Sequence, residues 1–156
     1  MADPRAAVIA VGNPLRADDG AGAAVLARLA GRVPAGVQLL DTHGEPAELL
    51  DAWEGLERVV VVDAVRTGAV AGTVHTFDAS STPLPARTGA ASTHGLGLAE
   101  ALELGRALGR LPARGVVIGI EAGDDGHGAV LSPPVAAALD RAAGRVLDEL
   151  GGGTDA

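Results

Sequence analysis

Cysteine, lysine and tyrosine are absent from the 156-residue chain, and Trp53 and Phe77 are its aromatic residues. Without cysteine there is no disulfide, no thiol nucleophile and no thiolate ligand, so any metal must be held by His and carboxylate. With so few aromatics, the core has to be built from Val, Leu, Ile and Ala. The lysine-free composition, rich in Ala, Gly, Val and Arg, reads as the codon bias of a GC-rich genome and not as a functional signal. Positive charge is also scarce: 12 basic against 20 acidic side chains leave a formal net charge of −8. That balance argues against binding nucleic acid through phosphates or docking on anionic membranes. No apolar run reaches the roughly 20 residues of a membrane span. Residues 1–7 are too short and polar for a signal peptide. The expectation is a soluble, cytoplasmic, monomeric protein. Residues 1–150 would form one domain and 151–156 a disordered tail.

What is present is an alternation of valine-rich runs and helical patterns. Residues 8–11, 37–40, 58–62 and 115–120 read as short buried strands. The four consecutive valines of 59–62 imply burial on both faces, as in a parallel sheet. Residues 72–77 alternate in polarity and predict an antiparallel edge strand on which His75 faces solvent. Helices are predicted from Asp19 or Gly20 to about Arg32, over 45–53, over 96–108, and from the Ser132-Pro133-Pro134 start to about Leu150. The Ser/Thr/Pro/Gly-rich 78–91 and the Gly/Asp-rich 121–129 read as loops. The pattern predicts an α/β fold: a three-layer αβα sandwich with a mostly parallel, about five-stranded sheet and one antiparallel edge strand.

In such folds the ligand crevice lies beyond the carboxyl ends of the strands, so the residues there carry the functional reading. The first strand runs into Gly12-Asn13 and then Asp18-Asp19, the second into Asp41-Thr42-His43-Gly44-Glu45, and the third into Asp63. His94, in "STHGLGL", opens the helix after the long loop. Asp, Asp and His converging on one edge would suit a divalent cation, imidazole being a good ligand for Zn or Ni. Bland roles compete. Acids before a helix can simply cap it, and this reading weighs as much as function for Asp18 and Asp19. Asp41 can be a turn former, and a single His at a helix start is more often structural. Asp63 is harder to dismiss, because an acid ending a buried strand is either exposed in the crevice or costly. "EAGDDGHG" lacks EF-hand ligand spacing. Gly12, Gly20 and Gly22 do not make a dinucleotide-binding fingerprint.

Three blocks, "VGNPLRADDGAG", "VVVVDAV" and "STHGLGLAEAL", together resemble the signature blocks of the [NiFe]-hydrogenase maturation endopeptidases, and the resemblance runs from about Val8 to Leu150. It implies an endopeptidase that removes the C-terminal extension of a nickel-loaded hydrogenase large-subunit precursor. It implies Asp19, Asp63 and His94 as the metal-contacting and catalytic set, with Asp18 their neighbour in a supporting turn with Gly12 and Asn13. Asp41 corresponds to a position linked to substrate recognition, and His43 and Gly44 follow it in the same segment. The cofactor implied is nickel brought by the precursor, with no organic cofactor. Either Asp19 or Asp63 could be the general base. Two departures stand out: Ala10 where many members have Gly, and Thr-His-Gly after Asp41 where many relatives read Gly-Gly-Thr or similar. A tail-binding chaperone without catalysis and a small-molecule hydrolase are the competing classes.

Overall fold

The computed structural model describes residues 5–12, 17–79, 93–123 and 131–151; within them the side chains of 17, 19 and 93–97 lie outside the described set. The strands are β1 (Ala6–Val11), β2 (Val37–Thr42), β3 (Arg58–Val65), β4 (Val74–Asp78) and β5 (Arg114–Glu121). The helices are α1 (Ala21–Leu29), α2 (Pro46–Trp53), α3 (Thr93–Leu108) and α4 (Pro133–Gly151), with a 3-10 turn over Ala17–Gly20 ahead of α1. The strands form one sheet in the order β2-β1-β3-β5-β4. All neighbours are parallel except β4 and β5. The antiparallel edge strand is therefore where the alternating pattern put it.

Side chains alternate across a strand, and the two faces of the sheet carry separate cores. Val8, Val60, Val62, Ile118 and Ile120 pack against α1 and α4. Ile9, Val59, Val61 and Val117 pack against α2 and α3, with Leu49, Trp53 and Leu98 filling the layer. Each fully buried aliphatic side chain contributes about 1.5–3 kcal/mol. Valine-rich strands serve because both of their faces are covered. The one indole is satisfied inside the apolar layer, Trp53 Nε1 donating to the carbonyl of Arg110 at 2.9 Å.

The connection from β1 leads outward to β2, and the connection from β2 returns past β1 to β3. Crossovers of this kind share one hand, so the reversal sends α1 to one face and α2 to the other. The two crossovers diverge between β1 and β3, which makes the carboxyl ends of those two strands the topological switch point.

Several boundaries differ from the sequence expectation. β3 continues to Val65, so Asp63 sits within the strand and not after it. Glu121 closes β5 instead of opening a loop. α1 ends at Leu29, and its cap is Gly20, without a side-chain hydrogen bond. Most of the predicted 78–91 and 121–129 loops, and the tail beyond Gly151, lie outside the described residues.

Candidate functional site at the carboxyl edge of the sheet

Asp63 is 5% exposed near the end of β3, one strand from β1, at the switch point. Strand alternation puts it on the same face as Val59 and Val61, the face that α3 covers. What lets the rim close here is Gly22 in α1. A Cβ at that position would stand 2.8 Å from the Val62 carbonyl and 3.1 Å from that of Val11. Only a glycine allows the start of α1 to rest directly on the ends of β1 and β3, which sets the preceding 3-10 turn against β3.

The paired acids of that turn separate in role. Asp18 is fully buried. Its Oδ2 accepts from the Gly123 N–H and the Ser132 hydroxyl, both at 2.8 Å, and its Oδ1 accepts from the Ser132 N–H at 2.8 Å. These bonds run to the segment leading into α4 and not to the start of α1. Asp18 thus ties the start of the first crossover to the segment between β5 and α4, and a buried carboxylate is tolerated because donors surround it. Asp19 follows in the same turn; its side chain lies outside the described set.

His94 is the second residue of α3, and its side chain is likewise outside the described set. The helix leads back to the start of β5, so its first turn belongs to the carboxyl edge. The backbone positions 19, 63 and 94 therefore stand on elements that meet at this edge. Among the described residues no three acidic or histidine side chains group closely enough to hold a metal ion; Asp19 and His94 are not among the side chains so described. Asn13 falls outside the described residues, while Gly12 has φ of 137°, a left-handed conformation that suits glycine. The Gly12 N–H donates to the Thr42 carbonyl at 3.2 Å, and Thr42 Oγ1 donates to the Ala10 carbonyl at 3.2 Å, fastening β2 to β1 at the rim. Asp41 and His43 are exposed beside that fastening. Gly44 is buried with φ of 91°, and the His43 N–H is taken up by Glu48 Oε1 at 3.1 Å. The backbone after β2 is thus fixed while two polar side chains stay available.

The family model for hydrogenase maturation protease (HycI) matches residues 24–149. The chain belongs to the hydrogenase maturation proteases. The HupD hydrogenase expression/formation protein of Rhodobacter capsulatus is 32% identical over 149 residues, covering 94% of this chain and 71% of the relative. HupD of Bradyrhizobium diazoefficiens is 31% identical over 136 residues, with 85% and 71% covered. Among solved structures, the maturating endopeptidase HybD from E. coli superposes with a TM-score of 0.82 at 26% identity, over 96% of this chain and 94% of that one. The [NiFe] hydrogenase maturation protease HybD from Thermococcus kodakarensis gives 0.72 at 30% identity, over 91% and 96%. The fold expected from the sequence is the fold of these proteases.

In this maturation protease the rim holds a third buried acid, one that the sequence reading passed over. Glu121 is 2% exposed at the end of β5. It accepts from the N–H groups of Thr67 at 2.8 Å and Gly68 at 3.2 Å and from Thr67 Oγ1 at 2.7 Å, and its Oε1 lies 2.9 Å from His75 Nε2. Burial alone would push its pKa up, but the bonds from Thr67, His75 and Gly68 outweigh it and hold the carboxyl below the usual range. The expectation of a solvent-facing His75 is corrected: the ring is half-buried, stacked on Phe77 with centroids 5.6 Å apart, and turned onto Glu121. The cause is the shape of the edge. The segment between β3 and β4 crosses over the end of β5, and a buried acid beneath it needs donors. A histidine two residues before a phenylalanine on a predicted edge strand was the available signal; its partner was 46 residues away. Among the described residues no helix is long and apolar enough to cross a membrane.

Proposed function

We propose that this maturation protease removes the C-terminal extension of a hydrogenase large-subunit precursor after nickel insertion. In this reading Asp19, Asp63 and His94 grip the nickel that the precursor carries. Two carboxylates and an imidazole match the borderline character of Ni(II) and leave coordination positions for the precursor's own ligands and for water. The metal belongs to the substrate, so cleavage reports that loading is complete. A cation so held would polarise the scissile carbonyl or an attacking water, with Asp19 or Asp63 taking the proton. Asp41, His43 and Gly44 would read the partner from the edge of the same rim. The observation that carries the reading is Asp63, an acid sunk into the end of a buried strand at the switch point of a hydrogenase maturation protease fold.

The test is incubation of the purified protein with nickel-loaded and nickel-free precursor from the same organism, read by intact-mass spectrometry. Loss of a C-terminal peptide from the loaded precursor alone is expected. Equal processing of both forms would remove nickel from recognition, and no mass change in either would remove the activity.

A further inference from the structure

Residues 66–73 join β3 to β4 and pass over the end of β5 at the same edge as Asp63. The stretch Thr67-Gly68-Ala69-Val70-Ala71-Gly72 has no charged side chain. Val70 at its tip is 80% exposed, in contrast to the valines of the strands. A lone exposed valine needs no explanation by itself. What needs one is how firmly this apolar tip is held. From below, Glu121 receives the N–H groups of Thr67 and Gly68 and the Thr67 hydroxyl. The Val70 carbonyl accepts from Thr73 Oγ1 at 2.6 Å and from the Thr73 N–H at 3.0 Å. The Gly72 N–H donates to the Glu121 carbonyl at 2.9 Å, and Arg141 donates to the Gly72 carbonyl at 3.0 Å. Gly72 has φ of 89°, and its missing Cβ would meet the Pro134 carbonyl at 2.6 Å, so the return of the loop is fixed against the start of α4. A buried carboxylate beneath it and α4 beside it thus hold a loop whose tip, Gly68, Ala69 and Val70, stands exposed. Rigidity of an exposed apolar segment lowers the entropic cost of binding.

We propose that this loop is a docking platform for the precursor and that Val70 is its contact residue. The occupant is an apolar side chain of the precursor two or three residues from the scissile bond. Neighbouring strands lie about 4.8 Å apart, so the anchor over β5 is about 5 Å from β3 and the far side over β4 about 10 Å. An extended peptide advances about 3.3 Å per residue. A chain cut beside Asp63 and running along the rim therefore reaches the loop within two or three residues. The inference rests on the cleavage reading above, and it is tested by binding as well as by turnover.

Val70→Asp and Val70→Ile are compared with the wild type for Kd on the nickel-loaded precursor, for KM and kcat of cleavage, and for Tm. Val70→Asp is expected to weaken Kd and raise KM at least about tenfold, the worth of one buried valine side chain. Its kcat should stay within about twofold and its Tm unchanged, and Val70→Ile should behave as the wild type. Equal Kd and KM for Val70→Asp and the wild type would overturn the docking role while leaving cleavage intact. So would a loss confined to kcat. Binding without cleavage by the wild type, with the Kd contrast retained, would support the platform and overturn the protease reading. Failure of the wild type to bind would overturn both.

Discussion

The two edges of the sheet have opposite polar character. At the carboxyl edge, Asp18, Thr42, Asp63 and Glu121 are the buried polar residues among those described. At the amino edge, Arg5, Arg58 and Arg114 border a cleft of about 570 Å³ and remain exposed or half-exposed. Arg58 and Arg114 are register partners on adjacent strands, and Ala6, next to Arg5, pairs with Arg58. The difference follows from what each edge can offer a charge. Crossing loops and helix starts at the carboxyl edge aim N–H groups inward, and Asp18 and Glu121 are buried because those donors are there. At the amino edge a guanidinium finds carbonyls: Arg58 donates to the Leu150 carbonyl at the end of α4, at 2.7 Å. That bond suits the negative pole of a helix dipole and calls for no deep burial. The acids are fixed parts of a built rim, whereas the arginines close the opposite end.

The comparison can be broken most directly at Asp63. Asp63→Asn should lower precursor processing by about 10²- to 10⁴-fold, the range for removing an acid–base group, with the folded state retained by circular dichroism. Processing at the wild-type rate would take the buried acid out of the chemistry. Asp18→Ala tests the structural half of the same rim. It strands three donors at about 1–3 kcal/mol each for a buried unsatisfied group, so urea denaturation should show the largest stability loss of the set. A smaller loss in Asp18→Asn would sharpen the assignment to hydrogen bonding. Gly22→Ala forces a methyl against the Val62 and Val11 carbonyls. It should cost about 1–3 kcal/mol by overpacking and move the 3-10 turn enough to slow processing.

Glu121 gives a pH signature. Its folded pKa lies below its ordinary value of 4.5. Its contribution is therefore whole above that ordinary value and is lost as pH falls through the lower folded value. Thermal melts from neutral pH downward should show wild type losing stability in that acidic window, and Glu121→Gln should flatten that part of the curve. An unchanged slope would separate Glu121 from the loop it holds. The smallest effect is expected at the other edge. Arg58→Ala removes one cap on α4, about 1 kcal/mol, and should leave processing untouched. A processing defect with normal stability would erase the division between the two edges.

Much of this was legible in advance, for a physical reason. Valine runs with no polar alternation have to be covered on both faces, and that requirement predicts a parallel sheet between helices. The single alternating run became the edge strand β4. Asp63 stood out because it follows an apolar run, where an acid is costly without a purpose, whereas for Asp18 and Asp19 helix capping weighed as much as function. The bonding partners were not legible. Asp18 reaches Gly123 and Ser132 across 105 and 114 residues, and Glu121 reaches Thr67 across 54.

Local pattern alone therefore determined the strands, the helices, the sheet and the edge on which Asp18, Asp63 and their neighbours would stand, because periodicity and burial act over a few residues. Tertiary structure decided which acid is sunk into which set of donors. It also decided why Gly22 must lack a side chain, why His75 turns inward and why Val70 is left outside. Those outcomes depend on which loops cross which strand ends, and loop crossings are set by packing between segments far apart in the chain.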